Sequence, residues 1–229
     1  MKILCLSATK FEIDPILKKL SEVLITKDDC FILSLGSHII KFIITGIGSV
    51  HTTYHLVKEL ANVEYDIVID LGICGSFNNE ICLGEVVYIE NEMFADLGIV
   101  GKEGFKSLFE AGFTEKDIWP YSNGKLINKR RVSEKTFGNL KKVNGVTVNK
   151  STGSLEEAEY IKEKFNADIE SMEGAAVFYT CLQESVPFVE IRSVSNKVGI
   201  TDKASWNIPL ATENLSELVI GYFEEILKK

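Results

Sequence analysis

Two kinds of hydrophobic pattern alternate along the chain. Short apolar runs rich in leucine and β-branched residues predict strands, and stretches whose apolar residues recur at helical spacing predict helices. The predicted strands are Lys2–Ser7, Cys30–Leu35, Ile39–Thr45, Asp66–Leu71, Glu85–Ile89, Gly145–Asn149, Asp168–Glu170 and Phe188–Val194. The predicted helices are Phe11–Leu24, Val50–Ala61, Leu155–Phe165, Gly174–Glu184 and Trp206–Leu227. This alternation is typical of parallel strands joined by crossover helices, so the pattern predicts an α/β fold.

The segment from Asp96 to Arg131 breaks the alternation. Its periodicity is weak, and it mixes glycine, asparagine and charged residues with the aromatic residues Phe105, Phe109, Phe113 and Trp119. Because aromatic side chains of this number can pack against a core, we interpret the segment as an excursion from the sheet rather than as a linker.

Length, charge and cysteine content narrow the class of protein. A chain of 229 residues suits one α/β domain spanning residues 1–229. The net charge of −8, without a basic stripe, disfavours nucleic acid and membrane surfaces as partners. The apolar run Met1–Ala8 is too short for a signal peptide and no later run could span a membrane, so we expect a cytoplasmic protein. Five cysteines without a CxxC pair indicate reduced thiols rather than disulfides or a zinc site.

Polar and glycine-rich segments follow several predicted strands. In α/β sheets of this kind, ligands bind beyond the carboxyl ends of the strands, so these segments are expected to meet in one crevice. They are Ser7–Glu12, Thr45–Ser49, Asp70–Phe77, and Ser171–Glu173 together with Arg192–Asn196.

Two of these segments contain glycine turns. The amides of Gly46–Ser49 could receive an anion or a sugar hydroxyl at a helix N-terminus, although a plain tight turn explains the segment equally well. It lacks the third glycine of a dinucleotide fingerprint and the Gly-Lys-Ser of a P-loop. The segment Gly72–Ser76 has the same strand-then-glycine form, and Cys74 and Gly75 within it are candidate substrate contacts. Two such turns in one sheet favour a small-molecule crevice.

Metal and acyl-transfer chemistry find little support in the sequence. His51 and His55 are four residues apart on a predicted helix, but no glutamate between them supplies zinc-protease chemistry, and a structural role is favoured. Ser195 lacks the flanking glycines of a nucleophile elbow. We therefore expect no metal site and no covalent acyl intermediate.

Four polar residues near strand ends could carry chemistry, namely Glu12, Glu173, Arg192 and Asn196. Alternatives exist for each of the charged ones. Glu12 and Glu173 could cap the helices that follow them, and Arg192 could form a structural ion pair. The residue types and their spacing leave both interpretations open.

Several motifs resemble the methylthioadenosine/adenosylhomocysteine nucleosidase branch of the purine nucleoside phosphorylase superfamily. Their order and spacing extend over nearly the whole chain, and they are Ser7-Ala-Thr-Lys-Phe-Glu12, Gly46-Ile-Gly-Ser49, Asp70-Leu-Gly-Ile-Cys-Gly-Ser76, Ser171-Met-Glu-Gly-Ala-Ala176 and Ile191-Arg-Ser-Val-Ser-Asn196. Within that branch the chain is most similar to the futalosine hydrolase family. The details that carry this similarity are Phe94-Ala-Asp-Leu-Gly98, Glu170-Ser-Met-Glu173, Ser193-Val-Ser-Asn196 and Trp206-Asn-Ile-Pro-Leu-Ala211.

This resemblance implies a three-layer α/β/α sandwich with a mixed, mostly parallel central sheet. It also implies the absence of metal and organic cofactors, and a homodimer or a larger homo-oligomer. The implied activity is a nucleosidase that cleaves the bond between a purine base and ribose with water.

The resemblance also implies roles for individual residues. Glu12 with Arg192 would hold and polarise the water, and Glu173 would bind the ribose hydroxyls and stabilise positive charge in the ring. Met172 would pack against the sugar, and Thr9 would lie toward the 5′ substituent.

Asn196 departs from the aspartate that adenine-specific relatives carry. An aspartic acid can donate a proton to purine N7, whereas an amide at neutral pH can only donate hydrogen bonds, to N7 and to a 6-oxo oxygen. Asn196 therefore favours hypoxanthine, the base of futalosine, and is expected to help it leave. Methylthioadenosine/adenosylhomocysteine hydrolysis is the alternative activity, and a non-catalytic nucleoside-binding protein is a third interpretation.

Other features bear on the reaction and on the ends of the substrate. The lack of arginine around Gly72–Ser76 favours hydrolysis over phosphorolysis, and the loop Asn149–Ser154 offers no aromatic residue to stack on a base. A cation could bind the carboxyphenyl group of futalosine. The candidates, for each of which a solvated surface charge is the favoured explanation, are Lys10, Lys197, Lys203, Arg130 and Arg131.

Overall fold

The computed structural model describes residues 1–22, 24–27, 30–102, 104–129 and 135–228. The strands are β1 (Lys2–Ser7), β2 (Leu24–Lys27), β3 (Cys30–Leu35), β4 (His38–Ile44), β5 (Ile67–Ser76), β6 (Val86–Phe94), β7 (Gly98–Gly101), β8 (Gly104–Ser107), β9 (Tyr121–Ser122), β10 (Lys125–Ile127), β11 (Lys141–Thr147), β12 (Ile169–Ser171) and β13 (Phe188–Lys197). The helices are α1 (Lys10–Lys19), α2 (Ser49–Leu60), α3 (Lys135–Gly138), α4 (Leu155–Phe165), α5 (Gly174–Gln183) and α6 (Ile208–Leu227), with one 3₁₀ turn at Lys203–Ser205.

An 11-stranded mixed sheet forms the centre of the fold. Strands β4, β1, β5 and β13 lie side by side and parallel, and β2 and β3 extend this sheet with antiparallel pairs. Strand β13 also pairs with β6, while β12 and β11 connect β5 to β6 on the other side. Five strands, β5, β12, β11, β6 and β13, therefore close into a ring. The glycine-containing carboxyl half of β5 is consequently flanked by strands on both sides.

The two faces of the sheet are covered by different helices. Ile3 and Cys5 of β1 belong to a buried cluster with α1 and α6, whereas Leu4 and Leu6 pack with α2 and α5. Full burial of such a side chain contributes about 1.5–3 kcal/mol. The strict alternation along β1 places apolar residues on both faces, as expected for a strand covered by helices on both sides. The three-layer α/β/α arrangement is as predicted.

Some predicted boundaries were wrong. The first helix ends at Lys19, because Leu24 begins β2, which pairs with β3 in an antiparallel hairpin that the helical spacing of apolar residues could not reveal. Strand β5 continues to Ser76, so Gly72–Ser76 is strand and not turn. Hydrogen bonding to β13 on one side and β12 on the other keeps this segment extended.

We predicted that the segment from Asp96 to Arg131 is an excursion from the sheet, but part of it returns to the central sheet. Strands β7 and β8 do form a separate two-stranded sheet, but β10 pairs with β6 and joins the central sheet. Leu126 is fully buried there, because it covers the edge of β6. Arg130 and Arg131 lie outside the described residues.

Among the described residues no helix is both long and apolar enough to cross a membrane. The five cysteines are free thiols, as predicted, and Cys5, Cys74 and Cys181 are buried whereas Cys82 is exposed.

Candidate active site

A cleft of about 210 Å³ opens at the carboxyl ends of the parallel strands. Every polar or glycine-rich segment that the sequence placed at a strand end contributes to it. The lining residues are Ala8, Thr9, Phe11, Glu12, Ile47, Ile73, Cys74, Gly75, Ser151, Glu170, Ser171, Met172, Glu173, Ser195, Asn196 and Trp206. The predicted site residues Thr9, Glu12, Cys74, Gly75, Met172, Glu173 and Asn196 are all in this set.

Glu12 lines the cleft and is held there by four donors. Its Oε2 accepts hydrogen bonds from the Thr9 N–H at 2.9 Å, the Thr9 hydroxyl at 2.8 Å and the Ser7 hydroxyl at 3.1 Å. Its Oε1 accepts from the Ile73 N–H at 3.1 Å. The alternative role of Glu12, capping a helix, is therefore also observed, since Thr9 is the N-cap of α1 and Glu12 accepts its N–H. The same bonds orient the buried carboxylate so that it also lines the cleft.

Arg192 lies directly behind Glu12 and is 2% exposed. Its Nη2 donates to Asp70 at 2.5 Å and its Nε donates to Glu190 at 2.9 Å. A Cβ on Gly72 would lie 2.3 Å from Arg192 Nη1 and 2.9 Å from Glu12 Oε1, so both groups lie against this glycine. The sequence left a structural ion pair open as an alternative role for Arg192, and such a pair is present. The remaining guanidinium nitrogen, Nη1, faces Glu12 across Gly72.

One further carboxyl group, Glu92, lies beside Glu190 of this network, and both are fully buried. Oε1 of Glu92 and Oε2 of Glu190 have no hydrogen-bond partner in the described part of the chain, and both lie 2.6 Å from where a Cβ of Gly174 would stand. Burial raises the pKa of Glu190 to about 8, although Arg192 opposes this, and burial together with the charge of Glu190 raises the pKa of Glu92 well above its usual range. This arrangement indicates that the pair holds a proton at neutral pH.

Glu173 precedes α5 and lines the cleft. It occupies the N-cap position without capping that helix, and its Oε1 instead accepts the Gly48 N–H at 2.9 Å. The Gly46–Ser49 turn thus directs an amide at the start of α2 toward the protein's own carboxylate. Burial raises the pKa of Glu173 to about 6, while Arg192 and the Gly48 amide act in the opposite direction.

Asn196 also lines the cleft, and its amide has a defined orientation. The Ser195 hydroxyl lies 2.8 Å from its Oδ1, and its Nδ2 donates to the Lys197 carbonyl at 3.2 Å. The reversed amide would bring two oxygens to that 3.2 Å separation, so Nδ2 is assigned to the Lys197 side. Within the part of the chain that the structure describes, no acceptor binds the second N–H of this amide, which leaves it for a ligand.

Sequence reasoning did not assign roles to Glu170, Phe11 and Trp206, which also line the cleft. Phe11 is adjacent to Glu12 and about half exposed, and Trp206 precedes Asn207, whose N–H donates to the Ser195 carbonyl. Glu170 accepts the Thr152 N–H at 3.0 Å. The sequence offered one signal for Glu170, because it is the acidic residue immediately before Ser171 in the motif at 170–173.

Several predicted candidates lie elsewhere. Lys10 pairs with Asp14 at 2.6 Å, and Lys197 donates to the carbonyls of Asn78 and Ile81 at 2.7 and 3.0 Å. Neither these lysines nor the exposed Lys203 lines the cleft. His51 and His55 are exposed on α2, and His51 Nδ1 lies 2.7 Å from the Ile47 carbonyl oxygen. No group of three potential metal ligands occurs within the ranges that the structure describes.

Comparison with known proteins identifies the class of protein to which this fold and this cleft belong. The sequence profile described as the Phosphorylase superfamily matches residues 2–224, so the chain is a member of that superfamily. Futalosine hydrolase of Thermus thermophilus is 33% identical over 178 residues, which are 76% of this chain and 77% of that protein. On this similarity the chain belongs to the futalosine hydrolase family.

Two other similarities concern the alternative activity and the fold. The 5′-methylthioadenosine/S-adenosylhomocysteine nucleosidase of Colwellia psychrerythraea is 27% identical, covering 81% of this chain and 79% of that protein. The structure of native futalosine hydrolase of Helicobacter pylori superposes with a TM-score of 0.77 at 19% identity and covers 98% of both chains. This structural match bears out the predicted nucleoside phosphorylase-like fold.

Proposed function

We propose that the protein hydrolyses the N-glycosidic bond of futalosine and releases hypoxanthine and dehypoxanthine futalosine, a step of menaquinone biosynthesis. The observation that carries the proposal is one cleft lined by Glu12, Glu173 and Asn196, with Arg192 facing Glu12 across Gly72. The 33% identity to the Thermus thermophilus futalosine hydrolase supports the choice of substrate.

Glu12 is the general base of the proposed reaction. The bond between the anomeric carbon and purine N9 breaks with its electron pair leaving on the base, and the ribosyl group gains oxocarbenium character. A water bound at Glu12 attacks the anomeric carbon and transfers a proton to the carboxylate. The base leaves as its anion and takes up a proton from solvent to become hypoxanthine, and Glu12 returns its proton to solvent. Arg192 is a positioning residue here, because its guanidinium faces Glu12 across Gly72 but does not line the cleft.

Glu173 and Asn196 bind the two sides of the breaking bond. The Glu173 carboxylate accepts hydrogen bonds from the ribose hydroxyls and stabilises the positive charge that develops on the sugar. The free N–H of Asn196 donates to N7 or to the 6-oxo oxygen and stabilises the electron pair on the departing hypoxanthine. Met172 packs against the sugar, and Thr9, Cys74 and Gly75 complete the substrate contacts.

The base preference of Asn196 can be tested by Asn196→Asp. A carboxylic acid can donate to N7 and accept from a 6-amino group, so we expect this variant to gain hydrolysis of adenine nucleosides while losing futalosine hydrolysis. The measurement is kcat/KM on futalosine and methylthioadenosine. No gain at all toward the adenine nucleoside would contradict the role of Asn196.

The activity itself is tested by chromatographic detection of free base. Purified protein is incubated without phosphate in parallel with futalosine, inosine, methylthioadenosine and adenosylhomocysteine. We expect hypoxanthine from futalosine alone. Adenine release would instead assign the methylthioadenosine/adenosylhomocysteine activity, and a ligand that binds but stays intact would favour a non-catalytic nucleoside-binding protein.

The proposal also includes a cytoplasmic location and a homodimer or larger homo-oligomer. Light scattering would test the oligomeric state.

A further inference from the structure

Glu170 lies in the same row of the sheet as Asn196. Its antiparallel partner on β5 is Gly75, and the parallel partner of Asn196 on the opposite side of β5 is also Gly75. Glu170, directly opposite Gly75, projects from the same face of the sheet as a side chain at Gly75 would. A β-bulge interrupts the register of β13 between Val194 and Asn196, but Asn196 Nδ2 lies 3.2 Å from where a Cβ of Gly75 would stand, so Asn196 is on that face as well. With neighbouring strands about 4.8 Å apart, Glu170 and Asn196 flank the glycine at the two ends of a row about 10 Å wide. Both line the cleft.

Gly75 has no side chain, and the place where one would stand is occupied by Val198 and by the Asn196 amide. A Cβ at this position would lie 2.8 Å from Val198 Cγ2 and 3.2 Å from Asn196 Nδ2. The Asn196 amide therefore lies over the backbone of Gly75, on the floor of the cleft. A flat ring placed on this floor would have a donor at the Asn196 end and a carboxylate at the Glu170 end.

Glu170 is held as a hydrogen-bond acceptor. Its Oε1 accepts from the Thr152 N–H at 3.0 Å and from the Ser151 hydroxyl at 3.4 Å, and its Oε2 accepts from the Thr152 hydroxyl. Burial raises the pKa of Glu170, whereas these three donors favour the ionised form. A carboxylate offers about four lone pairs, so acceptor capacity is left for a ligand. The side chain is 6% exposed, and the cleft is where that capacity is directed.

We propose that Glu170 accepts a hydrogen bond from N1–H of a bound 6-oxopurine and thereby selects hypoxanthine over adenine. A 6-oxopurine presents acceptors at N7 and O6 followed by a donor at N1, which matches an amide donor at one end of the row and a carboxylate at the other. A 6-aminopurine presents a donor at N6 and a bare lone pair at N1, so a carboxylate there repels it. The inference rests on the proposed function only in placing a purine in this cleft.

Binding of free bases tests this role separately from catalysis. Dissociation constants for hypoxanthine, 1-methylhypoxanthine and adenine are measured by calorimetry with the full-length protein. Because 1-methylhypoxanthine lacks the N1–H, we expect the wild type to bind it at least about tenfold more weakly than hypoxanthine, as for a buried polar group left unpaired. Adenine should bind more weakly than hypoxanthine by a similar or larger factor.

Two substitutions separate recognition from folding. Glu170→Ala should reduce the preference for hypoxanthine over 1-methylhypoxanthine to within about twofold of unity, since no acceptor is left. Glu170→Gln preserves one side-chain oxygen that can accept from the Thr152 N–H. This variant is therefore expected to fold even if the alanine variant does not. Its amide can also donate to adenine N1, so the preference for hypoxanthine over adenine should shrink or reverse. Glu156→Gln, at an exposed position on α4, is the matched control and should leave all three constants unchanged.

The outcomes distinguish this inference from the proposed function. Futalosine hydrolysis together with unchanged base preferences in both Glu170 variants would overturn the inference and leave the function standing. A wild type that binds hypoxanthine and 1-methylhypoxanthine equally would also overturn it. Loss of the preference in the variants, in a protein that does not hydrolyse futalosine, would support Glu170 as a purine-selecting residue and contradict the proposed function.

Discussion

Glu173 is the residue whose environment makes the clearest prediction for activity. Burial raises its pKa to about 6, and the proposed ribose contacts require the ionised carboxylate. Since kcat/KM reports the ionisation of the free enzyme, we expect kcat/KM for futalosine to fall about tenfold per pH unit below pH 6 and to be flat just above it.

The assignment of this acid limb to Glu173 can be checked by substitution. Glu173→Gln should remove the limb near pH 6 from the residual activity, whereas Glu156→Gln, at an exposed position on α4, should retain it. A wild-type profile that stays level from pH 5 to pH 8 would argue against an essential Glu173 carboxylate with this pKa.

At the scale of elements, the site depends on the close approach of α1, β5 and β13. Gly72 of β5 separates Glu12, carried by α1, from Arg192, carried by β13, and a side chain there would meet both. Its backbone does not require a positive φ, since none is found at this glycine. The effect of Gly72→Ala would therefore come from displaced side chains and not from backbone strain.

We expect Gly72→Ala to lower kcat/KM by about a hundredfold, because small displacements of a base and its bound water cost rates of that order. Thermal unfolding should show a lower Tm as well, since Arg192 is paired with two buried carboxylates. Gly101→Ala is the control, because a Cβ there has no neighbour within 4 Å. Wild-type kcat/KM in Gly72→Ala would contradict the proposed geometry.

The buried Glu92 and Glu190 affect the stability of the whole molecule. Their pKa values are raised in the folded protein, so the folded state retains a proton that the unfolded chain loses above its ordinary carboxyl pKa. This contribution to stability is complete below about pH 4.5 and is lost as the pH rises through the folded-state pKa of Glu190, about 8. Stability should decline across this window, by on the order of 1.4 kcal/mol per pH unit for one group.

Glu190→Gln should flatten that decline, because a neutral amide has no proton to lose and can still accept from Arg192 Nε. The measurement is the free energy of unfolding by denaturant between pH 5 and pH 9, with Glu90→Gln, at an exposed position, as the control. Profiles that run parallel for Glu190→Gln and the wild type would show that the pair does not hold the proton.

Local patterns in the sequence were sufficient for most of the architecture. The short apolar run in Lys2–Ser7 predicts a strand buried on both faces, and helical spacing in Ile208–Leu227 predicts a helix with one buried face. The position of Glu12, Glu173 and Asn196 after predicted strands was sufficient to place them together, since strand ends in such a sheet meet at one edge. The family motifs then indicated which chemistry these residues would serve.

Only the tertiary structure decided how distant segments meet. The hairpin of β2, the return of β10 to the sheet and the strand character of Gly72–Ser76 all depend on partners far along the chain. The row formed by Glu170, Gly75 and Asn196 likewise follows from the register of three strands. Local pattern determines which residues form strands and helices, but the register between strands arises from pairing across the whole core, and that register places the acceptor opposite the donor.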